Sequence, residues 1–217
     1  MYDDALLVLN KDKKLKKIIS SVGECKIRTI SNPFEALVEA IITQQISDSA
    51  GKSISLKFKN LFGKKYPTPS DVAKLTIEQI KSVGLSRMKA EYIFDISQMI
   101  VDKKLDFKIF KKMSNEDVIS ELTKIRGIGK WTAEMYLIFA LGRMDIFPLG
   151  DLGLINGIKK LYDLENPSTD EILEITNSWI PYRTIGTWYI WRGVKNFQFV
   201  WFRHIIFNFK SILRILN

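Results

Sequence analysis

The chain has 217 residues, 46% of them hydrophobic, and a formal net charge of +9; that allows one large domain or two small ones and favours a polyanionic partner, most often nucleic acid. One cysteine, Cys25, and one histidine, His204, exclude a disulfide framework and a Cys-rich zinc or iron–sulfur site, and argue against His-based zinc or a Ser–His triad. Any chemistry must then rest on carboxylates, lysines or bound ions.

The opening MYDDALLVLNKDKKLKK is acidic and then basic, with no long apolar stretch. It is not expected to be a signal peptide, and no run is long enough to span a membrane. A soluble, intracellular chain is expected, cytoplasmic in a prokaryote and nuclear in a eukaryote. Leu6, Leu7, Leu9, Leu15, Ile18 and Ile19 predict one or two short helices. Phe34, Leu37, Val38, Ile41, Ile42 and Ile46 form an apolar stripe at helical spacing, with Pro33 in the first turn and Asn32 as its cap.

KKYPTPSD (64–71) reads as a turn or linker. Thr76 with Gln79 has capping-box spacing, and Ser114 with Asp117 has it less strictly. The short helices they open end at Gly84 and Gly127. No strand alternation is visible, so the fold class is all-α.

The strongest local element is ELTKIRGIGKWTAEMYLIFAL (121–141). A helix ends near Ile125, the turn Arg126-Gly127-Ile128-Gly129 follows, and a new helix starts near Lys130. The two glycines let the backbone turn sharply and approach another molecule. The new helix presents unpaired N–H groups and the positive end of its dipole, and Arg126 and Lys130 add charge: together a phosphate site. Ile128 is expected to pin the turn by burial. On Gly-x-Gly alone, an ordinary helical corner with a glycine cap fits as well.

GRMDIFPLGDLGLINGIKKLY (142–162) places Asp151 after a Pro-x-Gly turn and before an apolar helix. By position it is a helix N-cap. Asp145 is expected to be a cap or an ion-pair partner. In WIPYRTIGTWYIWR (179–192), Trp179 is expected in the core, and Arg183 either contacts phosphate or pairs with an acidic neighbour.

These strings together resemble the helix-hairpin-helix DNA glycosylases. IRGIGKWTA is similar to that family's hairpin, with Arg126 where proline is frequent. FPLGDLGL is similar to the turn that carries its catalytic aspartate, which maps to Asp151. The 179–192 segment resembles its W-x-P-[WY]-R-[ST] element, and Trp191 corresponds to an aromatic wall of the base pocket. EAIITQQIS (39–47) resembles its QQIS element, placing Gln45 where relatives wedge a side chain into the minor groove. VGLSRMKAEYI (83–93) also matches, offering Ser86, Arg87 and Lys89 to phosphates. The resemblance covers roughly residues 5–192.

It implies two helical domains with a cleft between them, 33–143 carrying the hairpin and 1–32 plus 144–217 carrying the aspartate. It implies a base pocket of Trp131, Met135, Tyr136 and Trp191. DNA contacts are expected from Gln45, Ser86, Arg87, Lys89, Arg126, Gly127, Gly129, Lys130, Thr132 and Arg183. Strand-cleaving relatives carry a Schiff-base lysine where this chain has Trp131. Lys130 lies about 100° round the helix. The resemblance is therefore to the monofunctional 3-methyladenine DNA glycosylase II branch.

The expected partner is double-stranded DNA with a damaged base, and the expected state is a monomer. No cofactor is required and no iron–sulfur cluster is expected. The backbone carbonyls of Thr123, Ile125 and Ile128 match a monovalent cation site of the family hairpin. Two alternatives stand beside this reading: a non-catalytic lesion-binding protein and a bifunctional glycosylase/lyase. The apolar, basic tail after Arg192 matches nothing in the family; a packed C-terminal helix is expected there.

Overall fold

The computed structural model describes residues 2–63 and 65–193. The tail from Val194 onward, for which a packed helix was expected, lies outside the described residues. Among these, every regular element is helical. In chain order they are α1 (Asp3–Leu9), α2 (Lys13–Val22), α3 (Pro33–Thr43), α4 (Asp48–Asn60), α5 (Pro69–Val72), α6 (Ile77–Lys81) and α7 (Arg87–Val101). A 3-10 turn (Ile109–Lys112), α8 (Asn115–Thr123), α9 (Lys130–Phe139), α10 (Leu152–Tyr162) and α11 (Thr169–Asn177) follow. A last helix, α12, covers 183–193. No described helix is long and apolar enough to cross a membrane.

The helix starts follow side-chain chemistry. Asn32 Oδ1 accepts from the N–H groups of Phe34 (3.1 Å) and Glu35 (3.4 Å), with Pro33 in the first turn of α3. Thr76 and Gln79 close a reciprocal capping box on α6. Ser114 caps α8 in one direction only, its Oγ accepting from Asp117 N–H. The 64–71 linker is not wholly irregular: Thr68 and Asp71 form a capping box that opens α5.

Contacts divide the chain into two compact units. One is Arg28–Arg143. Its α3 packs on α4, α7 and α9, and α7 packs on α5 and α6. Leu37, Val38, Ile41 and Ile42 are completely buried on α3, and burial of such side chains contributes roughly 1.5–3 kcal/mol each. The apolar stripe stops short of Ile46, because the chain leaves the helix at Gln44 and Gln45 takes a left-handed φ of 53°. The unit begins at Arg28 rather than at Pro33, because Ile30 N–H donates to the Phe139 carbonyl at the end of α9 (2.7 Å).

The other unit combines Met1–Ile27 with the described residues from Met144. Its core gathers Leu9, Leu15 and Ile18 from the N-terminal helices with Leu154, Ile158, Trp179 and Tyr189. Trp179 is fully buried, as expected of a core residue. Asp12 joins the two chain segments: it caps α2 and also accepts from the Trp179 indole N–H (3.1 Å) and the Tyr162 hydroxyl. Those hydrogen bonds outweigh burial and hold the Asp12 carboxyl below its ordinary pKa.

Candidate active site

In the N- and C-terminal unit, Asp151 stands at the start of α10 because its backbone is extended (φ −82°, ψ 105°) and its side chain caps the helix. Its Oδ1 accepts from Leu154 N–H at 2.7 Å. The preceding turn is tight: Asp151 N–H donates to the Pro148 carbonyl at 2.9 Å. From α12 the Trp191 indole N–H reaches the same oxygen, at 3.4 Å. The structure thus brings together the carboxylate and one of the aromatic residues expected beside it. The capping role and an exposed chemical role are compatible, because the cap fixes the carboxylate's position rather than consuming its charge.

Arg183, on the same unit, takes the ion-pair alternative. Its Nε and Nη2 bind both oxygens of Asp145 (2.7 and 2.8 Å), and its backbone N–H adds a third contact (3.3 Å). Both side chains are about three-quarters buried. A paired guanidinium of this kind is not available to phosphate. Arg183→Ala is therefore expected to leave the salt dependence of DNA binding unchanged and to lower stability by about 1–3 kcal/mol, since it strands Asp145. Salt titrations and thermal melts of the variant check both halves.

In the Arg28–Arg143 unit, the hairpin forms as the sequence requires. Gly127 has φ +87°, and a Cβ there would lie 2.2 Å from the Tyr92 ring. Ile128 and Ile125 are buried beneath the turn, and Ile128 N–H donates to the Ile125 carbonyl (3.1 Å). Gly129 is the N-cap of α9, with no side-chain cap over the helix start. A Cβ at Gly129 would meet nothing within 4 Å. Lys130 is exposed, 4.0 Å from Glu134. Gln45 is exposed in its left-handed turn.

Several of the residues expected at phosphate have other occupations. Arg126 pairs with Glu91 (3.1 Å) and Asp95 (3.5 Å) and lies over the Tyr92 ring. Arg87 pairs with Glu78 and Glu91, and Ser86 caps α7. Lys89 Nζ donates to the carbonyls of Ile42 (2.9 Å) and Gln44 (2.7 Å). Thr132 is buried, and its hydroxyl accepts from Gln44 Nε2 at 2.8 Å. Of the expected pocket residues on α9, Trp131 is partly exposed and Met135 is buried on the same side one turn on. Tyr136 is fully buried, stacked on Phe107 and edge-on to Phe110. Its ring belongs to the core of this unit rather than to a ligand surface.

Sequence reasoning missed Gln44 altogether. Its side-chain amide donates to the Gly127 carbonyl (3.0 Å) as well as to Thr132. The only sequence signal was the glutamine doublet, and the doublet does not say which member faces inward.

A family model, the HhH-GPD superfamily base excision DNA repair protein, matches residues 38–182. The chain belongs to this superfamily. The match takes in the hairpin, the Asp151 turn and the start of the segment that leads to Trp191. Among its relatives, the alkylbase DNA glycosidase-like protein mag2 of Schizosaccharomyces pombe is 35% identical over 190 residues, covering 85% of this chain and 89% of that protein. The DNA-3-methyladenine glycosylase 1 of the same yeast is 31% identical, covering 84% of this chain and 82% of that protein. A solved structure of the S. pombe 3-methyladenine DNA glycosylase Mag1 in complex with abasic DNA superposes with a TM-score of 0.80 at 30% identity, covering 87% of this chain and 95% of that one. The all-helical fold is therefore the HhH-GPD fold.

Proposed function

We propose that the protein is a monofunctional DNA N-glycosylase that hydrolyses the N-glycosidic bond of alkylated purines, of the 3-methyladenine type, in double-stranded DNA. Asp151 carries the reading: a carboxylate fixed at a helix start beside an indole, in a chain whose relatives are named for this activity. Damage weakens pairing and stacking, so a lesion costs less to extrude than a normal base. A methylated purine carries positive charge, and an aromatic face such as that of Trp191 attracts it by ~0.5–2 kcal/mol.

As the bond from C1′ to the base nitrogen breaks, its electron pair leaves with the base and the sugar gains oxocarbenium character. The Asp151 carboxylate stabilises that charge. A water oxygen then bonds to C1′ and releases its proton to solvent, leaving the neutral free base and an abasic site. A cationic leaving base needs little protonation, so one carboxylate suffices, in contrast to the paired carboxylates of O-glycosidases.

The proposal includes a monovalent cation at the backbone carbonyls of Thr123, Ile125 and Ile128. α8 ends at Thr123, where the carbonyls carry the negative end of the helix dipole. The Ile125 carbonyl already accepts from Ile128 N–H, and its second lone pair suits a cation.

Incubation with methylated duplex DNA is expected to release 3-methyladenine, detected as free base by chromatography. Borohydride is expected to trap no covalent adduct, because an indole cannot form a Schiff base where Trp131 stands. Trapping would move the assignment to a glycosylase/lyase, and intact DNA binding with no release would favour a lesion-binding protein.

A further inference from the structure

Lys89 was expected at phosphate, yet its ammonium points into the protein. It sits on α7 and reaches the last turn of α3, where helix carbonyls lack intrahelical partners. One of its two acceptors, the Gln44 carbonyl, belongs to the peptide that joins Gln44 to Gln45. Lys89 therefore fixes the peptide plane that leads into Gln45. That matters because Gln45 is held at φ 53°, a conformation a non-glycine residue keeps only when its surroundings impose it.

The side chain of Gln44 extends the connection. Its amide donates to the Gly127 carbonyl in the hairpin and to Thr132 on α9. The same α7 that carries Lys89 also carries Tyr92, packed on Gly127, and Glu91 and Asp95, paired with Arg126. One helix thus grips two exposed turns of this unit, the one that displays Gln45 and the hairpin.

We infer that Lys89, acting through Gln44, is a positioning residue that sets Gln45 in register with the hairpin, so that the side chain is aimed into the duplex that the hairpin holds. This rests on the glycosylase reading for the meaning of wedging, but it is testable without base release. The probe is a duplex with a stable abasic-site analogue and 2-aminopurine as its neighbour, whose fluorescence rises when an inserted side chain unstacks it.

Lys89→Met is expected to bind this duplex with unchanged affinity and salt slope while losing most of the fluorescence rise. Base release from methylated duplex is expected to fall by roughly 10–100-fold, the scale of an ångström-sized misplacement. Gln44→Leu, which cuts the other half of the tie, is expected to give the same pattern, and the double variant to be no worse than either single one. A salt slope reduced by about 0.9 in Lys89→Met would mean a phosphate contact and overturn the inference. So would an unchanged fluorescence rise, or losses that merely track the folded fraction in thermal melts. A wild type that gives the fluorescence rise and releases no base would instead overturn the glycosylase reading.

Discussion

Asp151→Asn is expected to slow base release by at least about 100-fold while the protein stays folded, the loss typical of removing one electrostatic stabiliser from a transition state. The substitution separates two roles that coincide in one side chain. As a cap, Asp151 accepts from Leu154 N–H, and an asparagine oxygen does this nearly as well. What is lost is the negative charge. At the start of α10 that charge also meets the positive helix dipole, so stability should fall by under about 1 kcal/mol. In a chain of this size that is a shift of only about 2–4 °C in Tm. DNA affinity should hold or rise, because a negative group has been removed from a protein that binds a polyanion. Asp151→Ala makes the contrast, since it loses the cap and the charge together and should melt earlier. Single-turnover assays on methylated duplex, read beside thermal melts, decide the matter. Full activity in Asp151→Asn would remove the carboxylate from the chemistry.

Much of this site is written locally and was legible for that reason. A cap is a contact between residues three apart, so Asn32, Thr76, Ser114 and Asp151 could be placed from spacing alone. The hairpin is similar: a left-handed glycine, a buried isoleucine and a helix start occupy a few consecutive residues. Partner choice is not local. Lys89 finds its acceptors 45 and 47 residues away, Arg126 finds Glu91 at 35, and Arg183 finds Asp145 at 38. For Arg183 the ion-pair alternative was already open, with Asp145 as a candidate partner; for Lys89 and Arg126 the sequence shows a basic residue near a DNA-binding motif and gives no sign of the carbonyl or acidic groups beside it. Tyr136, expected in the base pocket, and Thr132, expected at DNA, are both buried, again through distant partners. Five helical residues from Trp131 turn Tyr136 away from its face, toward Phe107 and Phe110, which arrive from a distant segment. Lys130 is exposed beside Glu134, at a helix start that carries no side-chain cap.

The two hairpin glycines should respond differently to alanine. Gly127→Ala is expected to destabilise the Arg28–Arg143 unit by about 2–4 kcal/mol, the sum of a strained left-handed alanine and an overpacked contact. The strain comes from φ +87°, and the contact from a Cβ placed 2.2 Å from Tyr92. Tyr92 cannot swing aside freely, because Arg126 covers its ring while bound to Glu91 and Asp95. The turn itself must move, and DNA affinity should fall with it by more than about tenfold, or 1.4 kcal/mol. Truncating Tyr92 in the same chain should recover the steric part and leave the backbone part, a coupling a double-mutant cycle can measure. Gly129→Ala should behave otherwise. Its φ of −88° suits any residue, and the added methyl meets no protein atom. Stability should drop by under about 1 kcal/mol, the modest preference for glycine over alanine at an N-cap. If phosphate approaches the bare start of α9, that methyl stands in its path, and affinity should fall without a matching fall in Tm. Stability and affinity would then separate at Gly129 and move together at Gly127. Unchanged DNA binding in Gly129→Ala would show that the backbone of a nucleic acid does not come close to this turn, and the hairpin would revert to an ordinary helical corner.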